Sequence, residues 1–136
     1  MRSHRAVLLM VLVLVLAGCR NPYLVAQRFD DTYREYNRLV RWQEYRNACQ
    51  SFADPGVAQE CLARAGAAKG ASMADYRVKG VDIDPAKGTA TVRVEFDYYV
   101  LPSTRLKTLE DVQEWRYGEV DGAARWRIVT PLPDFR

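Results

Sequence analysis

The chain has 136 residues, a length that fits one domain with a modest core, and its 20 basic and 17 acidic side chains leave a formal net charge of +3. So small an excess of positive charge predicts no general attraction to nucleic acid. The mean hydropathy is −0.30, and the sequence contains one long apolar run, close to its beginning.

The first eighteen residues have the pattern of a secretory signal peptide. Arg2, His4 and Arg5 form a short basic start, and the run from Ala6 to Leu16 carries no polar side chain. That run is about half of the roughly 20 residues that a helix needs to cross a bilayer. A basic start, a short apolar run and small residues after it predict that residues 1–18 are a signal peptide.

The end of this segment, Leu16-Ala17-Gly18-Cys19, resembles the lipobox of bacterial lipoproteins at all four positions. The resemblance implies cleavage between Gly18 and Cys19, a diacylglyceryl group on the Cys19 thiol and acylation of the new amine. The first partner implied is therefore a membrane, since two or more acyl chains anchor a protein stably. The residue after the cysteine is Arg20. In Gram-negative lipoproteins an aspartate at this position tends to retain the protein in the inner membrane, so the resemblance implies an outer-membrane lipoprotein that faces the periplasm. The alternative is an ordinary signal peptide or an uncleaved anchor in which Cys19 occurs by chance.

Cleavage before Cys19 would leave one periplasmic domain over residues 19–136, which is 118 of the 136 residues. Loss of Arg2 and Arg5 reduces the basic side chains from 20 to 18, against 17 acidic ones, so this domain is nearly neutral. It contains no histidine, because His4 is the only one in the chain. The commonest general base near neutral pH is therefore missing, and we expect no catalytic residue, no metal site and no cofactor.

Two helices are predicted at the start of this domain. Asn21-Pro22 is typical of a helix start, since asparagine is a preferred N-cap and proline suits the first helical position. Apolar side chains then recur at steps of three and four residues, which predicts a helix over about 22–48. Asp54-Pro55 repeats the start signal and Gly66 supplies a stop, so a second helix is expected over about 55–65. The apolar face of the first helix comprises Val25, Phe29, Thr32, Tyr33, Tyr36, Leu39 and Val40.

The remaining two cysteines, Cys49 and Cys61, fall on either side of the turn between these helices. If the helices fold back on each other around residues 51–55, both cysteines lie about equally far from the turn and can form a disulfide, as the periplasm permits. The alternatives are two reduced thiols or half of a metal site. The metal alternative is poor, because no histidine or further cysteine remains to complete it.

After a small-residue linker over 67–74, the periodicity changes to two. Strands are predicted over about 76–84, with a bulge at Gly80, and over 89–100, where the alternation is clearest. Two further strands are predicted over about 112–119 and 124–130, joined by Asp121-Gly122, a strong hairpin signal. The expected fold is α+β, with an N-terminal helical hairpin packed on one face of a curved antiparallel sheet of about four strands.

This order of elements, together with the end of the sequence, is similar to NTF2-like (cystatin-like) domains. Their last hairpin often carries a D-G turn followed by W-x-I or W-x-V, and the corresponding residues here are Asp121, Gly122, Trp126 and Ile128. The family usually has another helix before its long strands, which is not evident between Gly66 and Tyr76, so a simpler cystatin-like arrangement is equally open.

A candidate ligand face follows from the aromatic side chains of the predicted strands, which can line one concave surface. The alternative is that they form the core under the first helix, where aromatic pairs are ordinary stabilisers of sheets. Glu95 and Asp97, on the other face of their strand with Arg93, are better explained as solvated charges. The candidate ligand face comprises Phe96, Tyr98, Trp115, Tyr117 and Trp126.

Three functions are consistent with this sequence. The leading hypothesis is a non-catalytic envelope lipoprotein, an accessory or interaction domain tethered through Cys19 whose partner is another envelope protein. The second is a binder of a small ligand in the pocket of the sheet. The third is an isomerase or dehydratase, which the NTF2-like resemblance implies for some members that use an inward acid or histidine as the base, often with a tyrosine.

Overall fold

The computed structural model describes Val7, Met10 and residues 21–136. The lipobox, with Gly18 and Cys19, lies outside these described residues. The chain folds as α+β, with helices first and a four-stranded antiparallel sheet after them. Within this described part, no helix is both long enough and apolar enough to span a membrane.

The helices are α1 (Pro22–Arg41), α2 (Tyr45–Phe52) and α3 (Ala58–Ala67), followed by a 3₁₀ turn at Ala68–Gly70. The start of α1 is capped as the sequence predicts, since the side chain of Asn21 accepts a hydrogen bond from the backbone N–H of Tyr23 at 3.0 Å. Pro22 occupies the first helical position, where its missing N–H costs no helical hydrogen bond.

The single helix predicted over 22–48 is wrong, because α1 ends at Arg41. Gln43 adopts a left-handed conformation with φ of 63°. Its N–H bonds to the carbonyl of Val40, and the N–H of Glu44 bonds to the carbonyl of Leu39. This pair of bonds is the Schellman motif that closes many helices. Glycine usually fills the left-handed position, so a glutamine there gave no signal in the sequence.

The second predicted helix, 55–65, begins three residues late, at Ala58. The side chain of Asp54 accepts a hydrogen bond from the N–H of Gly56 at 3.0 Å, and its carbonyl accepts one from Val57. Asp54-Pro55 therefore forms a turn and not a helix cap, as aspartate commonly does when it bonds the backbone two residues on.

A disulfide joins Cys49 of α2 to Cys61 of α3, with 5.7 Å between their Cα atoms. Both residues are buried, at 2% and 0% exposure. The bond therefore lies within the core and holds α2 and α3 together.

The strands are β1 (Ala71–Asp84), β2 (Thr89–Val100), β3 (Lys107–Val120) and β4 (Ala123–Ile128). They pair in sequence order, each antiparallel to its neighbour. The range of β2 matches the prediction, whereas β1 and β3 begin five residues before the predicted 76–84 and 112–119. The predicted linker 67–74 thus contains the start of β1. The last strand ends at Ile128 and not at 130.

Two irregularities bend the long first strand. The pairing of β1 with β2 shifts between Val78 and Gly80, where the sequence predicts a bulge, and again between Met73 and Asp75. At the other end of the sheet, Asp121 and Gly122 both have positive φ, 54° and 79°. Two positive angles in a two-residue turn are what the tightest hairpins require.

The core lies between α1 and the inner face of the sheet. Each large apolar side chain buried there contributes roughly 1.5–3 kcal/mol relative to an exposed one. The chain after β4 completes this core, since Leu132 and Phe135 are only 0% and 5% exposed. The main buried side chains of α1 are Val25, Phe29, Tyr33, Tyr36 and Val40, and those of the sheet are Val92, Val94, Phe96, Trp115, Trp126 and Ile128.

Candidate functional site: a buried polar cluster beneath the first helix

The aromatic side chains of the candidate ligand face lie in the core. Phe96, Tyr98, Trp115 and Trp126 are each less than 5% exposed, and Tyr117 is half-buried. Helix α1 and the C-terminal segment cover them: Phe29 packs against Trp126 with 4.6 Å between ring centroids, and Phe135 contacts Tyr98 at 5.1 Å. Four of the five residues thus belong to the packed core beneath the helix, and Tyr117 lies at the edge of this core, against Trp126.

A polar cluster lies within this core where α1 meets β3. The side-chain amide of Gln113 donates to Asn37 Oδ1 at 2.7 Å and to Asp111 Oδ2 at 3.0 Å. The amide of Asn37 donates in turn to Gln113 Oε1 at 3.2 Å and to the carbonyl of Tyr33 at 2.9 Å. Asn37 and Gln113 are fully buried and Asp111 is 9% exposed. The two amides satisfy each other, as buried polar groups must if they are not to destabilise the fold.

Two hydrogen-bond donors beside this cluster have no acceptor among the described residues. They are the hydroxyl of Tyr36 and the indole N–H of Trp115, both buried. Their rings are in edge contact, with centroids 5.4 Å apart. An unsatisfied buried donor costs about 1–3 kcal/mol, so each marks a place where an internal water or a small acceptor would stabilise the structure.

The carboxyl of Asp111 has a pKa that is shifted upward. Burial raises the pKa of Asp111 to about 6, although the hydrogen bond from Gln113 and the charge of Arg64 act in the opposite direction. Burial also raises the pKa of Tyr36, and the nearby Asp111 adds to that effect. A carboxyl with a pKa near neutrality can accept or donate a proton at physiological pH.

Asp111 is not among the candidate residues that the sequence indicates, because the strand predicted there begins one residue later, at Val112. The available signal was the two-residue spacing of Asp111, Gln113 and Trp115, which places polar side chains on the same face as a buried tryptophan. Polar residues on the buried face of a strand are uncommon, so their presence there is informative.

Glu95 and Asp97 lie on the outer face of the sheet, as expected for solvated charges. Arg77 Nη1 is 2.6 Å from Asp97 Oδ2, and Lys79 lies 3.4 Å from Glu95. Hydrogen bonds from Arg77 and then from Thr108 hold the pKa of Asp97 below its usual range. These charges form a cross-strand network, and none of them enters the core.

A cleft of about 240 Å³ opens on the surface between the first turns of α1 and the β3–β4 hairpin. Arg28 crosses it, with Nη1 at 3.4 Å from the hydroxyl of Tyr117. The remaining lining residues are Asp31, Thr32, Ala124, Arg125 and Trp126. Asp111 lines neither this cleft nor the one of about 230 Å³ beside Tyr45 and Lys69.

Among the residues that the structure places, no group of three or more histidine, cysteine, aspartate or glutamate side chains is arranged to hold a metal ion. Compared with models of known protein families, the chain matches none. A comparison with curated proteins finds no match either.

Proposed function

We propose that this chain is a non-catalytic lipoprotein of the cell envelope, acylated at Cys19, whose domain serves as an interaction module at the periplasmic face of the outer membrane. Its partners are the membrane, through the lipid anchor, and another envelope protein. The lipobox-like Leu16-Ala17-Gly18-Cys19 motivates the lipid anchor. The Cys49–Cys61 disulfide supports an oxidising compartment, because disulfides persist in the periplasm and are rare in the cytosol.

The main support for a non-catalytic domain is that packed side chains fill the inner face of the sheet. Helix α1 and the C-terminal segment bury the side chains of Phe96, Tyr98, Trp115 and Trp126. The outer face of the sheet is left to solvent, with paired charges on it and Val112 at 47% exposure. A domain with a packed interior and an uncovered sheet face is suited to contact another protein.

For the finer fold we propose an NTF2-like or cystatin-like arrangement. The support is the order of elements, in which helices precede an antiparallel meander whose last hairpin carries Asp121-Gly122 and then Trp126 and Ile128. The helices and the sheet alone fit both arrangements.

Metabolic labelling with a fatty-acid analogue tests the anchor. The wild-type protein is expected to incorporate the label, and Cys19→Ser is expected to lose it and to remain as the uncleaved precursor. The matched control is the Cys49→Ser/Cys61→Ser double variant, which should still be labelled because it retains the acylated cysteine. A labelled, membrane-bound Cys19→Ser protein would refute the proposal, and density fractionation wholly with inner-membrane markers would refute outer-membrane sorting.

A second candidate, a small-ligand binder, is favoured by one observation: the unpartnered hydroxyl of Tyr36 beside the buried carboxyl of Asp111. The isomerase or dehydratase alternative would also require an acid next to a tyrosine. We rank that alternative last, because Asp111 lines neither the cleft beside α1 nor the cleft beside Tyr45.

Substitution of Tyr36 by phenylalanine tests this second candidate. If the hydroxyl has no partner in solution, Tyr36→Phe should stabilise the purified protein by about 1 kcal/mol, because a buried unsatisfied group is removed. If a bound small molecule satisfies it, the variant should be less stable, and native mass spectrometry should detect a mass above that of the acylated chain in the wild type only.

A further inference from the structure

The folded domain begins very close to the proposed point of attachment to the membrane. Asn21, which caps α1, is two residues after Cys19. A fully extended chain spans at most about 3.6 Å per residue, so the Cα atoms of Asn21 and Cys19 are no more than about 7 Å apart. The polar headgroup layer of one leaflet is itself roughly 5–7 Å thick. A lipid on Cys19 therefore holds the first turn of α1 at the membrane surface.

The side chains at that end of the domain include two large ones that face solvent. Tyr23 is 73% exposed and Leu24 is 45% exposed, whereas the next residue, Val25, is 3% exposed and packs into the core. Tyrosine is favoured at the level of lipid headgroups, where its ring and its hydroxyl meet different environments. An exposed leucine beside it supplies apolar area that the edge of the acyl region can cover.

The same end of the domain presents two arginines that form no salt bridge with any described residue, Arg28 and Arg125. Both are exposed, and both line the cleft beside Tyr117, together with a single acid, Asp31. Leu24 lies one helical turn before Arg28, on the same side of α1. Farther along the helix the pattern differs, since Arg34 and Arg38 are paired with Asp30 and Glu35.

We propose that this end of the domain, the tether face of Tyr23, Leu24, Arg28 and Arg125, docks on the bilayer and binds the phosphates of anionic lipid headgroups. The inference rests on the proposed acylation of Cys19, which brings the tether face to the membrane. Arginine suits this role because its planar group can donate two hydrogen bonds to one phosphate. Each basic side chain near an anionic surface strengthens binding about five-fold.

Docking by this face fixes which parts of the domain remain available to a protein partner. Helix α1 has 20 residues, so it carries its C-terminal end roughly 30 Å from the tether face. The side chain of Arg41, in the last turn of α1, donates a hydrogen bond to the carbonyl of Met73 in β1. The backbone N–H of Leu101 donates one to the carbonyl of Gly70, just before β1. The loop that follows β2 is therefore at the far end of the domain from the tether.

The experiment places a fluorophore at the tether face and at the far end of the acylated, full mature protein in vesicles. Leu24→Cys carries the probe on the tether face, and Leu101→Cys, at a residue that is 59% exposed, is the matched control. The vesicles contain phosphatidylethanolamine and phosphatidylglycerol, with nitroxide groups on some headgroups as the quencher. The proposal predicts strong quenching of the Leu24 probe and little quenching of the Leu101 probe.

The charge of the face is tested by Arg28→Gln/Arg125→Gln in the Leu24→Cys background. Quenching is expected to fall several-fold in vesicles with phosphatidylglycerol and to change little in uncharged phosphatidylcholine vesicles, with Arg34→Gln as the control for a paired arginine. Equal quenching of the Leu24 and Leu101 probes would overturn the proposal. Energy transfer between Leu24 probes on different copies would also overturn it, because the face would then be an interface between copies.

Acylation is read separately, from the fatty-acid label on each preparation. A labelled protein whose Leu24 probe is not quenched refutes the docking and leaves the lipoprotein proposal standing. A protein without the label refutes the lipoprotein proposal, and with it the tether on which the docking depends.

Discussion

The indole N–H of Trp126 donates a hydrogen bond to the carbonyl oxygen of Val25 at 2.8 Å. The two residues are 101 positions apart in the chain. The bond joins the last strand of the sheet to the first turns of α1, where Phe29 packs against the same indole. It therefore fixes the N-terminal end of α1, the end that the proposed lipid anchor holds at the membrane.

Replacing Trp126 by phenylalanine should destabilise the domain more than the same change at Trp115. Both indoles are buried, at 2% and 1% exposure, but only that of Trp126 has an acceptor among the described residues. Trp126→Phe loses the hydrogen bond and leaves the carbonyl of Val25 without it, whereas Trp115→Phe removes an unsatisfied donor. We expect a difference of about 1 kcal/mol or more in the free energy of unfolding, measured with denaturant. An equal or larger loss for Trp115→Phe would contradict the assignment.

The buried carboxyl of Asp111 should make the domain less stable as the pH rises through its pKa. Burial raises that pKa from 3.8 to about 6, so the folded state holds a proton that the unfolded state releases between these values. Stability is therefore lost as the pH rises from about 3.8 to about 6, by at most roughly 3 kcal/mol from the difference between the two pKa values. Asp111→Asn should remove this cost, since asparagine can still accept from Gln113.

The measurement is the free energy of unfolding of wild type and Asp111→Asn at about pH 4 and pH 8. These values lie near the lower end and above the upper end of the pH range in which the stability should change. The variant should gain stability relative to wild type at the higher pH. Asp97→Asn is the control, because Arg77 and Thr108 lower the pKa of Asp97 below 3.8, so the difference between this variant and wild type should hardly change between pH 4 and pH 8. A pH-independent difference for Asp111→Asn would show that its carboxyl is not buried in solution.

The disulfide between Cys49 and Cys61 should contribute substantially to stability. Closing a loop with a separation of 12 residues restricts the unfolded chain by about 3 kcal/mol in the chain-entropy model. The Cys49→Ala/Cys61→Ala double variant should lose about that amount in denaturant unfolding, and a reducing agent should lower the stability of the wild type but not of the variant. Two alkylatable thiols in protein isolated without a reductant would contradict the pairing.

Phe135 should act as a core residue although it follows the last strand by seven positions. It is 5% exposed and its ring contacts Phe96, Tyr98 and Tyr45, with centroids 5.1 to 5.9 Å away. Phe135→Ala should cost about 3 kcal/mol in unfolding free energy. Asp134→Ala is the matched control, because that side chain forms a surface salt bridge with Arg136, and such pairs contribute little to stability. Similar behaviour of the two variants would place the C-terminal segment outside the core.

The parts of the fold that the sequence predicts well are those with strong local signals. The alternation from Ala90 to Val100 places β2 correctly, and Asp121-Gly122 forms the tight turn that its residue types favour. The cap at Asn21 is also read correctly, because its hydrogen bond to Tyr23 is local.

The parts that were missed depend on contacts distant in sequence or on residues in uncommon roles. The sequence pattern does not predict the end of α1, because Gln43 occupies the left-handed position that glycine normally fills. The start of β1 consists of small residues that become a strand through pairing with Val100 and Tyr99. The inward position of Asp111 depends on Gln113, Asn37 and the burial that α1 provides, none of which a local pattern reveals.

A lipoprotein of this type requires a mature chain that begins at an acylated cysteine. Mass spectrometry of the N-terminal peptide, from protein extracted from the envelope of cells that express it, tests this most directly. We expect a peptide that starts at Cys19 and carries a diacylglyceryl group on its thiol and an acyl group on its amine. A peptide that contains Gly18, or one that starts at Cys19 with a free thiol and a free amine, would refute acylation at Cys19.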